Sequence, residues 1–533
     1  MTAQEAFNYL DPQAWAATSA VEKLTLLEEV QRNLGKYADQ LALADLKMKN
    51  DFIGADIYTK GFGLAGTAGP VAGMLMGSHH LYEKLVNGEL LEPVSVEKLD
   101  NGNTAIQTWP IFPKDKMVAG KQKGYLHVKG EPKQINPLDK PAGIIAISGA
   151  GNYSSSVEMV KALFYENKAV IHKPHQNNVE TDKIWAKIFQ PLIDRRALAF
   201  IEPEESRAMT GLDGLYAIYF TGSTSVAHAI QKNAKAPLIS ECGGNNPLLI
   251  VPGDRPWTDK EIKHQALQVV SVGKMNGGAV CGRVQTIVTS KNWPQRTQFL
   301  DAVRKAIAED TYAVGTYYPG VEETKKAFLE NQPTAEALKV ENGKHPTTDF
   351  VFIPGIQEDD FAVKNEAFCQ ILSEIALDTE NNVDDFLTKA TAFCNDKLLG
   401  TLGCMILVDN DTMKNHETRI HKAINELNYG GIAVNTIPPN VFMSAYLTWG
   451  GCNESKEDFV SGVGNFGNAH NYKNVIKSVL IDDFNAQGML MTNKTLMEHL
   501  FTNATYFAID NSWTHFAKMA SQMVVDGFKN KDF

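Results

Sequence analysis

Cys281 lies in the segment KMNGGAVCGRV, where Gly277, Gly278, Ala279 and Gly282 keep the backbone open and let a second group approach the sulfur. A thiol so placed can act as a nucleophile once a base, a cation or a helix dipole favours loss of its proton, and Arg283 is the nearest cation in the chain. Taken alone, such a cysteine is more often a small core residue. Glu241, in LISECGGNNPLLIV, stands beside Gly243 and Gly244, a setting in which a partly desolvated carboxylate can activate water as a general base. It also fits a turn cap or a surface ion pair. Asn152, in SGAGNYSSS, follows a strand-like run and opens a helix-like one, so its amide can donate to a developing oxyanion or cap that helix. The turn Phe220-Thr221-Gly222-Ser223 offers N–H groups and hydroxyls to an anion at a helix start, or simply an N-cap.

The elements around these residues alternate. The apolar run at 142–148, the helical stretch 154–166 and the strand-like AVIHK at 169–173 have the spacing of a βαβ unit. A helix near 181–194, strands at 198–202 and in GLYAIYF, a helix opening at FTGSTSV and a strand at PLLIV continue it, which predicts an α/β fold with a doubly wound parallel sheet. From Trp257 to about Asn471 a second α/β region follows, and the last 60 residues read as largely helical. Upstream, Ser19 and Glu22 form a capping box before Val21, Leu24, Leu27, Val30 and Leu34, which recur at helical spacing. Residues 66–88 read as a surface helix whose pair His79-His80 has no further ligand at metal spacing, so no metal is expected. Between 117 and 141 the text turns to GYLHV and GEPKQINP, too poor in apolar residues for a core, and predicts an exposed hairpin or arm.

Composition narrows the partners. A net charge of −11 with no block of like charges disfavours nucleic acid or an anionic membrane, which leaves a small molecule as the expected ligand. No apolar run is long enough for a membrane span, and the N-terminus does not resemble a leader, so a cytoplasmic protein is expected. The six cysteines form no Cys-x-x-Cys pair and are expected to be free thiols.

Taken together, the order and spacing of these segments resemble the aldehyde dehydrogenase superfamily over nearly the whole chain. The resemblance implies that Asn152 supplies the oxyanion donor, that Lys173-Pro174 in IHKPHQ holds the adenosine ribose, and that Phe220, Thr221, Gly222 and Ser223 form the family's cofactor turn. It makes Glu241-Cys242-Gly243-Gly244 the general-base segment and Cys281, preceded by Asn276 and Gly278, the nucleophile. Glu366 and Phe368 in NEAFCQ look like the pair that holds the nicotinamide ribose, and GGIAVN ending at Asn435 resembles the next signature. The implied fold is a Rossmann-like cofactor domain (1–116 and 142–244), an α/β catalytic domain (245–471), and an oligomerisation arm with a C-terminal extension (117–141 and 472–533). In the family the arm adds strands to a neighbouring subunit, which implies a homodimer or homotetramer.

Several residues depart from the family pattern. Ala150-Gly151 replaces Pro-Trp, Ala279 replaces a Gln, and the segment after Cys281 is one residue short. Trp449-Gly450-Gly451 and Ser461-Gly462 keep parts of a C-terminal signature across an insertion. Gly151, Ser154, Ser155 and Ser156 suggest a roomy, partly polar substrate mouth. For the cofactor, Gln176 stands where NAD-preferring relatives carry a Glu, and Arg207 falls on the following loop, which favours NADP over NAD; Glu204 and Glu205 oppose that. The expected reaction is oxidation of an aldehyde to a carboxylic acid through a thioester on Cys281, hydrolysed with Glu241 as base. The alternatives are a coenzyme A-acylating enzyme, for which Glu241 has little use, a non-catalytic cofactor-binding or structural descendant, and a cysteine esterase, which leaves the nucleotide motifs unexplained.

Overall fold

The structure, a computed structural model, describes residues 1–529 except Ser155, Ser156, Gln487 and Met489. Three strands come first: β1 (Ser95–Lys98), β2 (Thr104–Trp109) and β3 (Lys123–Val128). Five follow: β4 (Ile144–Ser148), β5 (Ala169–Lys173), β6 (Leu198–Phe200), β7 (Ala217–Thr221) and β8 (Leu238–Glu241). The next seven are β9 (Pro247–Ile250), β10 (Thr286–Ser290), β11 (Glu336–Leu338), β12 (Phe350–Ile353), β13 (Ile371–Leu377), β14 (Gly403–Leu407) and β15 (Gly431–Val434). Last come the two-residue strands β16 (Thr448–Trp449) and β17 (Phe466–Gly467), and β18 (Val475–Ile481).

Two main sheets result. The smaller is wholly parallel in the order β6-β5-β4-β7-β8, so the chain winds outward from β4 in both directions. The larger runs β1-β2-β3-β18-β15-β14-β9-β10-β13-β12-β11. Every residue of β4, β5, β7, β9, β10, β12, β14 and β15 is buried, as parallel strands covered on both faces must be. Between β8 and β9 the chain passes from one sheet to the other, and the polar turn at 242–246 spans the gap.

Helices cover the small sheet. The Ser19–Glu22 capping box closes as both reciprocal hydrogen bonds and starts a helix from Ala20 to Ile53 that ends at Gly54, whose φ of 75° suits a residue without a Cβ. Leu27, Val30 and Leu34 face the core, whereas Val21, expected on the same stripe, is exposed because the buried face passes through Ala20 and Lys23. The helix Ala68–Val86 is not the surface helix the sequence suggested. Most of its residues are buried, and His80 bonds the Tyr446 hydroxyl at 2.6 Å.

The arm also differs from expectation. Within residues 117–141, β3 lies between β2 and β18 inside the chain's own large sheet, and β18 pairs parallel with β15. Leu126 and Val128 supply the apolar face that the composition of the segment as a whole concealed, packing with Ile106, Leu447, Trp449 and Leu480. β1 and β2, placed by the sequence in a cofactor domain reaching residue 116, belong to this sheet as well. The tail divides likewise: β18 joins the sheet, while the helix Lys494–Asp510 packs on the N-terminal helices, with the Tyr506 hydroxyl donating to Asp39 at 2.8 Å and Glu498 accepting from the Gly61 N–H at 2.8 Å. Among the described residues no helix is long and apolar enough to cross a membrane.

Candidate active site

The loops that leave the C-terminal ends of β4, β5, β7 and β8 carry Asn152, Lys173-Pro174, Phe220–Ser223 and Glu241–Gly244. This is the edge at which doubly wound sheets bind ligands, at the point where strand order reverses. The Cys281 loop faces it from the large sheet, entering through Asn276, Gly277 and Gly278, all at positive φ. A Cβ at Gly278 would overlap the main chain of Cys369, and one at Gly277 would lie 2.5 Å from the Gly315 carbonyl, so this run can pass only with glycine at both positions. Asn246 fixes the far side by donating to the carbonyls of Cys281 (2.5 Å) and Arg283 (2.8 Å) while accepting from the Gly403 N–H.

Three polar groups meet there. Asn152 does not cap a helix; its amide donates across to the Ala279 carbonyl at 3.1 Å, two residues from the thiol. Its own carbonyl accepts from Asn276 and from the Tyr317 hydroxyl, both at 2.8 Å, which locks the two loops together. Glu241 is 3% exposed at the end of β8, and its carboxylate comes within hydrogen-bonding reach of the Cys281 sulfur. Burial pushes that carboxyl up to about 7, against hydrogen bonds from Cys281 and Trp449 that favour the charged form. The Cys281 thiol is itself held well above its ordinary range, first by burial and then by the neighbouring Glu241. At neutral pH the pair therefore carries one negative charge or none, and the proton of the thiol has an acceptor matched to the medium.

Arg283 is not the activating cation. Its guanidinium is buried and donates to the Ile371 carbonyl at 2.7 Å and to Gln285 at 3.3 Å, because the turn after Cys281 directs it into the large sheet.

The cofactor candidates separate into two groups. Lys173 and Pro174 are buried at the end of β5, and desolvation lowers the Lys173 ammonium while Asp182 and Glu204 oppose the shift. Phe220 and Thr221 are buried, whereas Gly222 and Ser223 are exposed where the helix Thr224–Asn233 opens. Gln176 and Arg207 are both exposed on the same side of the sheet, beyond β5 and β6. Glu366 and Phe368 come from the large sheet. The Glu366 carboxylate presses on Gly243, where a Cβ would overlap it, accepts the Gly244 N–H, and is pushed by burial up to about 7. Phe368, at φ 47°, packs edge-on against Tyr318. Asn435 stays apart, paired with the main chain of Val408.

Of the four residues that suggested a roomy polar mouth, the two that the structure describes do not line one. Gly151 is enclosed by Tyr318 and His175, and Ser154 is buried with its hydroxyl accepting from Trp185; Ser155 and Ser156 lie outside the described residues. In its place an aromatic series runs from Tyr153 to Phe442 (5.6 Å) and from Phe442 to Trp449 (6.4 Å). Sequence reasoning also missed Glu158, buried and accepting from the Tyr153 hydroxyl (3.0 Å) and from Thr221 (2.8 Å). A carboxylate at an otherwise apolar helical position, EMVKALF, was the available signal. A cleft of about 710 Å³ lies elsewhere, lined by Trp109, Asn440, Met443, Tyr446 and Asp482 and by none of the residues of the thiol site.

A family model described as the aldehyde dehydrogenase family matches residues 130–476. The chain is 28% identical over 159 residues to N-succinylglutamate 5-semialdehyde dehydrogenase of Novosphingobium aromaticivorans, covering 28% of this chain and 32% of that protein. It is 25% identical over 260 residues to lactaldehyde dehydrogenase of Methanococcus maripaludis, covering 46% and 50%. The matches thus span half or less of these curated relatives. Among solved structures, aldehyde dehydrogenase 21 of Physcomitrella patens superposes with a TM-score of 0.63 at 16% identity, covering 90% of this chain and 89% of that one. Lactaldehyde dehydrogenase of Escherichia coli gives 0.63 at 14%, covering 90% and 92%. At such identity these structures establish the fold, and the family match over more than half of the sequence establishes the lineage: the chain belongs to the aldehyde dehydrogenase family.

Proposed function

We propose that the protein oxidises an aldehyde to a carboxylic acid through a thioester on Cys281. The observation that carries this is the convergence of the Cys281 thiol, the Glu241 carboxylate and the Asn152 amide at one sheet edge. Glu241 takes the thiol proton and the sulfur attacks the aldehyde carbon, while the Asn152 amide and the Cys281 N–H hold the oxyanion. An amide has two N–H bonds, so Asn152 can keep its contact with Ala279 and still donate. Loss of hydride from the adduct leaves the thioester on Cys281. Glu241 releases the thiol proton to solvent and then draws a proton from water as the water attacks the acyl carbon, the C–S bond breaks to return the Cys281 thiolate, and the acid departs.

The residues present fit a nicotinamide dinucleotide: the exposed Gly222 and Ser223 open a helix, and Lys173 stands across the strand-order reversal. Gly222 and Ser223 would hold a phosphate at that helix start, Lys173-Pro174 and Glu366 would hold ribose, and the group would supply the hydride acceptor. Gln176 and Arg207 favour NADP over NAD, with Glu204 as the opposing charge. Lactaldehyde and N-succinylglutamate 5-semialdehyde, the substrates in the relatives' names, head the panel of aldehydes to test. Six free thiols suit the cytoplasm. Assembly as a homodimer or homotetramer is read from solution mass against the 58.7 kDa chain.

The test is the absorbance of reduced nicotinamide with each aldehyde and either cofactor, for the wild type and for Cys281→Ala. Signal only with Cys281 present supports the proposal. Signal only on adding coenzyme A moves the acyl acceptor from water to a thiol, and none under any condition favours a non-catalytic descendant.

A further inference from the structure

Trp449 is 2% exposed, and its surroundings are built around it. A Cβ at Gly431 would lie 2.5 Å from the indole, at Gly282 3.0 Å and at Gly403 3.1 Å, so three segments distant in sequence keep glycine where the ring passes. The strand that carries it is pinned by Thr448, whose N–H donates to the Ser478 hydroxyl at 2.7 Å. Phe442 closes the slot edge-on. The buried Trp15 and Trp185 direct their N–H groups to the main-chain carbonyls of Leu163 and Ser154, as core indoles do. Trp449 donates instead to Glu241 Oε1 at 3.1 Å, and the same N–H lies within hydrogen-bonding range of the Cys281 sulfur.

A carboxylate at the end of a strand has several rotamers, and only those facing the sulfur serve the thiol. An indole N–H fixed by its own slot selects among them: it holds one carboxylate oxygen and leaves the other for the thiol and then for water. We infer that Trp449 is a positioning residue, whose indole N–H aims Glu241 at Cys281 for both proton transfers. This rests on Glu241 being the base, and extends it to a side chain 208 residues further along the chain.

Trp449→Phe keeps an aromatic ring in the slot and deletes the donor. The rate of Cys281 alkylation by iodoacetamide, followed against pH, needs neither aldehyde nor cofactor, and in the wild type it should rise through a step near pH 7 as Glu241 ionises. Without the N–H the carboxylate loses a stabilising partner, so the step should move to higher pH by about one unit. With substrates, kcat should fall roughly tenfold and KM should stay within about twofold, the mark of lost positioning rather than lost binding. Glu241→Gln should abolish the step, and adding Trp449→Phe to it should change nothing more.

An unmoved step in folded Trp449→Phe, with the step still absent in Glu241→Gln, overturns the inference and spares Glu241 as base. A step that survives Glu241→Gln overturns both. Should Trp449→Phe not fold, 5-fluorotryptophan replaces all seven indoles of the wild type. One fluorine resonance should then titrate near pH 7 and stop doing so in Glu241→Gln, whereas seven resonances indifferent to pH or to that substitution contradict the inference.

Discussion

Two buried glutamates, one in each sheet, are treated in opposite ways by the fold. Glu374, in β13, is fully buried, and its carboxylate receives Arg296 at both oxygens (2.8 Å each), the Thr289 hydroxyl (2.6 Å) and the Gly355 N–H (3.1 Å). Glu241, at the end of β8, is almost as buried but among the described residues has no cation against it, an indole N–H and a thiol standing there instead. A buried charge is tolerated when every lone pair has a donor and a counter-charge stands opposite, and Glu374 meets both conditions. Glu241 meets neither, and its affinity for a proton rises accordingly to the range in which a base works at neutral pH. The same residue type thus gives a strut in one place and a proton acceptor in the other, and the difference is the presence or absence of an arginine.

The largest effect should come from breaking the strut. Arg296→Met strips Glu374 of its counter-charge and of two hydrogen bonds, and should lower unfolding free energy in urea by about 3–5 kcal/mol, with the pH profile of Cys281 alkylation unmoved. Glu241→Gln should act in the other direction. Because the fold raises this carboxyl from its ordinary 4.5 to about 7, the protonated form is the one the fold favours; its contribution is fully present below pH 4.5 and lost as pH rises through 7. The neutral amide escapes that loss, so the variant should be more stable than the wild type by roughly 3 kcal/mol above pH 7, with the gain vanishing below about pH 4.5, as read by melting temperature across that window. A smaller change sharpens the contrast: Thr289→Val removes one of four donors to Glu374 and should cost about 1.5–2 kcal/mol, since Arg296 still neutralises the charge.

Legibility in the sequence followed the range of the interactions. The strands of the small sheet announce themselves as short apolar runs, and the Ser19–Glu22 box is a contact three residues long. Cys281, Glu241 and Asn152 stand out because each sits among glycines or at a strand end, and the fold brings all three to one edge. What sequence hid is the direction of side chains and the partners of distant strands. Arg283 looks available beside the thiol, yet the turn at Val280–Arg283 sends it to the Ile371 carbonyl. GYLHV looks exposed by composition, yet its alternate residues Leu126 and Val128 fill a cluster completed by Leu480, more than 350 residues away. The small residues around Asn152 suggest open space that Tyr318, His175 and Trp185 fill from elsewhere. Trp449 was visible as part of a Trp-Gly-Gly segment, but its bond to Glu241 depends on glycines in three other segments.

The central claim is that Glu241 serves the hydrolytic half of the reaction. Rapid mixing of Glu241→Gln with cofactor and an accepted aldehyde, followed by the absorbance of reduced nicotinamide, tests it most directly. A burst approaching one equivalent per active site, slower than in the wild type because the thiol has lost its proton acceptor, followed by a near stall is the predicted result, since the thioester still forms and water is not activated. Steady turnover at the wild-type rate, with no burst, would contradict it.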